Sequence, residues 1–186
     1  MYRSLMVLGL LLGVASPALA QDYATDRGAW LLGGTVSYTS DGGELYENLD
    51  GDRQNTALLN PRALYFVSPG LAIGGQVVVQ YASQGDASFT TLGIGPEIAY
   101  YFGGAGSTVY PFVDANVSYA NLSSEGFDAS GFGFGFGAGA AFMLSPSVAL
   151  VGGGSYTIEN LSVDQVDESF SGNRFRLELG VSAFIF

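Results

Sequence analysis

The chain has 186 residues, with 17 Asp and Glu against 6 Lys and Arg, and it contains neither His nor Cys. A formal charge of −11 argues against nucleic acid or anionic lipid as a partner held by charge. The missing His and Cys exclude disulfides, thiolate chemistry, cysteine metal sites and every Ser-His or Asp-His scheme, so no enzyme activity, catalytic residue or cofactor is expected.

The chain opens with Arg3, an apolar run at 5–12 and the small-x-small sequence Pro17-Ala18-Leu19-Ala20, in the order of a secretory signal. That run is shorter than the roughly 20 residues a membrane-spanning helix needs. Cleavage after Ala20 is predicted, which makes 1–20 a signal peptide and 21–186 one mature domain of 186 − 20 = 166 residues. Arg3 leaves with the signal, and the mature charge becomes 5 − 17 = −12.

Eight later segments alternate with a period of two, the repeat of a strand whose successive side chains point to opposite faces. The first, 29–39, sets Trp30, Val36 and Tyr38 against Thr35, Ser37 and Thr39. A long loop at 40–56 follows, holding Asp41, Glu44, Glu47, Asp50 and Asp52 among glycines. The second, 57–67, opposes Leu59, Tyr65 and Val67 to Asn60 and Arg62, and Ser68-Pro69-Gly70 is a turn. In the third, 71–81, Ile73, Val77, Val79 and Tyr81 stand opposite Gln76 and Gln80, with a short polar loop expected at 83–88. The fourth, 89–102, sets Leu92, Ile94, Ile98 and Tyr100 against Thr91 and Glu97; Pro96, which cannot donate a ladder hydrogen bond, predicts a bulge there. After a turn at 103–108, the fifth, 109–120, opposes Val113, Val117 and Tyr119 to Asp114, Asn116 and Ser118, and a polar loop is expected at 121–130.

The sixth segment, 131–144, reads GFGFGFGAGAAFML. A helix would scatter its four Phe around the circumference and cost roughly 1 kcal/mol for each interior Gly relative to Ala. As a strand it has one apolar face (Phe132, Phe134, Phe136, Phe142) and one almost bare face. By itself this pattern fits either a soluble sandwich or lipocalin-like barrel, with the Phe column inside, or a membrane barrel with that column facing lipid. Ser145-Pro146-Ser147 turns into the seventh strand, 148–158, and an acidic loop at 159–172 leads to the eighth, 173–186, where Phe175, Leu177 and Leu179 oppose Arg174, Arg176 and Glu178.

Two regularities select the membrane reading. Connections after strands one, three, five and seven are long and acidic, the intervening turns brief; this is the two-rim arrangement of a bacterial outer-membrane barrel, with the connection after strand three fitting least well. Charges occupy only one parity of every strand, while Trp30, Tyr38, Tyr65, Tyr81, Tyr100 and Tyr119 lie on the other, mostly near strand ends where interfacial girdles sit. The expected architecture is all-β: an eight-stranded antiparallel up-and-down transmembrane β-barrel preceded by a cleaved signal peptide. No later segment reads as a membrane-spanning helix, since the most apolar window is full of glycine and stops at Pro146.

The opening AWLLGGTVSY, the hairpins LNPRALYFVSPGLAIGG and GFGAGAAFMLSPSVAL, and the ending LGVSAFIF resemble the small outer-membrane β-barrel family, similar to the barrel domain of outer-membrane protein A, over residues 29–186. The resemblance implies a protein of the Gram-negative cell outer membrane, in contact with outer-membrane lipid, and a C-terminal strand read by the barrel-assembly machinery. The ending departs from the pattern: the apolar parity stops at Ile185 and Phe186 falls on the other register. A monomer is expected. Barrel proteases and deacylases of this fold need a His that is absent here.

The lumen charges Arg62, Glu97, Asp114, Arg174, Arg176 and Glu178 are the candidate site. An eight-stranded barrel is just wide enough for its side chains to fill, so these groups read as a plugging network, with a small pore or ligand path as the alternative. The acidic loop offers Glu44, Glu47, Asp50 and Asp52 as hard-oxygen ligands for a divalent cation, without a full calcium-loop pattern. The function expected is structural or surface-presenting, with a narrow channel or carrier for small, hydrophobic molecules and adhesin-type binding through the acidic loops as alternatives. The bare face of 131–144 is expected to leave room for Arg62 and Arg176 to cross the lumen.

Overall fold

The computed structural model describes residues 23–41, 52–124, 127–163 and 169–186. Eight strands, β1 (Trp30–Asp41), β2 (Gln54–Ser68), β3 (Leu71–Gln84), β4 (Ala87–Tyr101), β5 (Val109–Ser124), β6 (Phe127–Ser145), β7 (Val148–Val163) and β8 (Ser169–Ile185), pair antiparallel in chain order. β8 returns to β1 and closes the barrel.

At the turn rim every strand end falls within one residue of its predicted place, whereas at the loop rim every strand runs two to five residues further. The ladder continues there after the two-residue hydropathy period has faded, because both faces of a strand beyond the lipid belt meet water. The loop expected at 83–88 is consequently a two-residue hairpin, Gly85-Asp86, with Gly85 at φ +57 as a tight turn requires. Most of the loop expected at 121–130 is strand as well. At the other rim, Pro69-Gly70, with Gly70 at φ +77, has the Pro-Gly order of a type II turn. A register shift precedes this turn at Phe66/Ser68, and another precedes Pro146-Ser147 at Met143/Ser145.

The bulge expected at Pro96 is absent. The β4–β5 ladder drops out at Gly95 and Pro96 yet resumes unshifted, Ile94 opposite Tyr119 and Glu97 opposite Asn116. Proline removes a donor without adding a residue, and Gly95 lets β5 close in: a Cβ there would sit 2.7 Å from the Ser118 Cα.

Side-chain parity is as the charges require. Phe132, Phe134, Phe136 and Phe142 are exposed on the outer wall, as are Ile94, Leu177 and their neighbours, while Glu97, Gln76 and Gln80 are buried inside. Trp30 packs on Tyr65 at 5.1 Å and Tyr100 on Phe102 at 4.8 Å near the turn rim, and Tyr119 meets Phe132 at 5.3 Å toward the loop rim. Such paired rings suit the membrane–water interface.

The closing seam is the least paired in the barrel. β1 and β8 are joined only from Trp30↔Ile185 to Val36↔Leu179, although both strands continue toward the loop rim. The open stretch includes Tyr38, Phe175 and Leu177, all exposed on the outer wall.

Candidate functional site

The lumen is filled in levels. At the turn rim, Phe66, Tyr101, Phe112 and Phe184 form an aromatic septum, with ring centroids 5.6 Å apart for Phe66–Tyr101, 5.2 Å for Tyr101–Phe112 and 6.4 Å for Tyr101–Phe184. All four are buried, together with Leu31, Leu64, Tyr110 and Val151. Phe186, on the inward register, packs against this core from its edge. The segment 23–29 closes the septum from below: the Gly28 amide donates to the Phe66 carbonyl at 2.8 Å and the Gly70 amide to the Thr25 carbonyl at 2.8 Å, leaving Thr25 and Ala29 fully buried.

Arg62 lies above the septum. Its Nη1 donates to Glu97 Oε1 at 3.1 Å, its Nη2 to the Tyr101 hydroxyl at 3.3 Å, and the guanidinium stands 5.4 Å from the Phe112 ring centroid. With side-chain exposures of 10% for Arg62 and 2% for Glu97, this is a buried ion pair, joining β2 to β4 across β3. Closer to the loop rim, Glu178 accepts from Thr35 Oγ1 at 3.2 Å, Ser155 Oγ at 3.0 Å and Arg176 Nη1 at 3.5 Å, which draws β1, β7 and β8 together. Arg174 donates to Gln80 Oε1 at 2.7 Å and lies 3.6 Å from Glu159, both partly exposed. Asn60 Nδ2 donates to Gln76 Oε1 at 3.0 Å. A cavity of about 80 Å³ remains between these groups. At roughly 10–15 Å³ per probe-sized water, it has room for a handful of waters.

The six predicted charges all face the lumen and line this cavity, but they do not form one cluster. Arg62 pairs with Glu97 and Arg176 with Glu178, while Arg174 reaches Gln80 and Glu159 instead. Asp114 is in none of these close ion pairs, and its charge is attracted to the Arg62 guanidinium at longer range.

The bare face of β6 has a different use from the one expected. Its space is taken by the neighbouring strand: a Cβ at Gly135 would meet the Asn116 amide at 2.6 Å, one at Gly137 both Asp114 carboxylate oxygens at 2.6 Å, and one at Gly139 the Phe112 ring at 2.7 Å. Asn116, Asp114 and Phe112 are the direct cross-strand partners of these glycines and lie flat across them. Arg62 therefore stands over Phe112 instead of over β6 itself.

The aromatic septum went unrecognised in the sequence, although a signal was present. Phe66, Tyr101, Phe112 and Phe184 break the polar parity of their strands, and each does so near a short turn. Of the acidic-loop candidates, Glu44, Glu47 and Asp50 lie outside the described residues; Asp52 offers its backbone carbonyl to Gln84 Nε2 at 3.2 Å. Among the described residues no three acidic side chains converge as a metal site.

A family model described as the outer membrane protein beta-barrel domain matches residues 6–182. A search of curated proteins found no match. Among solved structures, surface protein A of Neisseria is similar with a TM-score of 0.57 at 19% identity, covering 86% of this chain and 98% of its own. Outer membrane protein W of E. coli aligns with a TM-score of 0.53 at 15% identity over 87% of this chain and 99% of its own. The outer membrane protein OprG of Pseudomonas aeruginosa gives 0.51 at 14% identity over 87% and 97%.

Proposed function

The chain belongs to the outer-membrane protein β-barrel family, and from that premise we propose that it acts as an integral, non-conducting outer-membrane barrel whose role is structural or surface-presenting. The observation that carries this reading is the closed lumen: the aromatic septum spans the turn rim, and the buried Arg62–Glu97 pair locks the level above it. The protein enters the membrane as a monomer, through its C-terminal strand, with Phe184 and Phe186 turned into the septum. Planar-bilayer recording tests the reading. Purified protein is expected to leave the membrane silent; stable single-channel steps that vanish on Arg176→Ala would overturn it.

A second reading, a carrier for small apolar molecules, is favoured by one feature of the outer wall. An apolar hollow of about 790 Å³ lies over Pro96, between Trp30, Tyr65 and Phe136, where the β4–β5 ladder is interrupted. Uptake of a fluorescent fatty acid or alkane into proteoliposomes, lost when Phe136 and Ala115 are enlarged to Trp, would select this reading; uptake equal to empty vesicles would dismiss it.

A further inference from the structure

Nothing in its register makes the β1–β8 ladder stop at Val36↔Leu179. Beyond that pair β1 stays bonded to β2 as far as Asp41, and β8 to β7 as far as Ser169. Continued one step at a time, the same register sets Ser37 opposite Glu178, Tyr38 opposite Leu177 and Asp41 opposite Arg174. No bulge is needed, because the facing agrees: Tyr38 and Leu177 are both on the outer wall, 68% and 72% exposed, and Glu178 lines the lumen. A clasp already sits at the root of the opening, where Thr35 Oγ1 donates to Glu178 Oε2 at 3.2 Å across the two strands.

Depth makes the opening consequential. A strand rises about 3.3 Å per residue and tilts about 40° in such a barrel, so Tyr38 stands roughly 20 Å above Trp30, within an apolar band about 25 Å tall, and Asp41 roughly 28 Å above it, outside that band. The free edges at 37–41 and 174–178 therefore straddle the boundary between hydrocarbon and headgroups. Unpaired N–H and C=O groups are satisfied by water on one side of that boundary and by nothing on the other. We propose that this upper seam is a zipper worked by the membrane: β1 and β8 pair on to Asp41↔Arg174 where hydrocarbon reaches past Tyr38, and part where it does not. Each edge is the natural partner of the other. They run antiparallel and in register, whereas an inserted strand from elsewhere would have to satisfy two edges of opposite direction at once. The zipper also governs one wall of the vestibule, since Thr35, Arg174, Arg176 and Glu178 line that cavity from the two seam strands.

The chain has no Cys, so an introduced disulfide can report the closed register. The full mature barrel carrying Tyr38→Cys with Leu177→Cys is refolded into dilauroyl- or dioleoylphosphatidylcholine vesicles and oxidised with copper-phenanthroline. Directly paired Cα atoms stand about 4.5–5.5 Å apart, within disulfide reach. Rates are taken relative to Val36→Cys with Leu179→Cys, which lies in the part already zipped. On that scale cross-linking is expected to be about threefold or more faster in the thicker dioleoyl bilayer. Tyr38→Cys with Phe175→Cys, out of register, should cross-link in neither. Heat-modifiable gel mobility establishes that each variant is folded. Hydrogen exchange on the unaltered protein repeats the test without substitution: the amides of 37–41 that point across the seam should exchange faster in dilauroyl than in dioleoyl vesicles. Equal relative rates for the Tyr38–Leu177 positions in the two bilayers, including no cross-link in either, cross-linking of Tyr38 with Phe175 positions, or exchange indifferent to bilayer thickness would overturn the proposal.

Discussion

Replacing Arg62 by Met isolates the energetics of the lumen. The guanidinium donates to Glu97 at 3.1 Å and to Tyr101 at 3.3 Å, and the Glu97 side chain is 2% exposed. Removing one member of such a pair strands a buried charge, which costs about 3–5 kcal/mol. Loss of the guanidinium–Phe112 contact adds about 0.5–2 kcal/mol. Removing both charges is a different perturbation, because the desolvation cost goes with them: Arg62→Met with Glu97→Met should return stability to within about 1 kcal/mol of the parent, or exceed it. Equilibrium urea unfolding in lipid vesicles, followed by Trp30 fluorescence and gel mobility, measures all four corners of this double-mutant cycle. A single Arg62→Met costing less than about 1 kcal/mol would refute the reasoning, for it would put the pair in water, where ion pairs contribute that little.

Three other substitutions or measurements test separate parts of the structure. Gly139→Ala should destabilise more than Gly135→Ala, since the added methyl meets the Gly153 backbone at 2.9 Å and the Phe112 ring at 2.7 Å, whereas at Gly135 the first atoms met belong to the movable Asn116 amide. Both, and Gly137→Leu still more, should impair folding into micelles beyond Phe134→Leu, which changes only the lipid face; the reverse order would mean the faces are inverted. At the seam, hydrogen exchange should be fast at the alternate amides of 37–41 and 173–178 that point across the unpaired stretch, and slow on their paired sides; uniform protection would show a fully zipped seam. Thr25→Val should stabilise the base slightly, by up to about 1 kcal/mol, because the buried Thr25 hydroxyl has no partner to lose; destabilisation in urea titration would reveal a hydrogen bond at that position.

Strand number, order and facing were legible because each lipid-exposed strand has an apolar outer column and a polar or bare inner one, and Phe132 to Phe142 alternate with small residues throughout. The strand extensions at the loop rim were not, since residues such as Ser123 and Asp128 are polar on both faces while still hydrogen-bonded in the ladder. Pro96 was legible as a missing donor; whether the ladder would shift or merely skip depended on Gly95 and the approach of β5.

The lumen divides in the same way. That Arg62, Glu97, Asp114, Arg174, Arg176 and Glu178 share one face followed from their parity, because alternation along a strand is a local property, and the aromatic strand ends and alternating loop lengths turned that face inward. Which of them would meet did not follow. Arg62 reaches Glu97 across an intervening strand, and Arg174 reaches Gln80 from the far side of the barrel, so partner choice is set by stagger and closure. The glycines of β6 carry the same lesson: their bareness was plain in the chain, but only the register against β5 showed that Asn116, Asp114 and Phe112 lie across them.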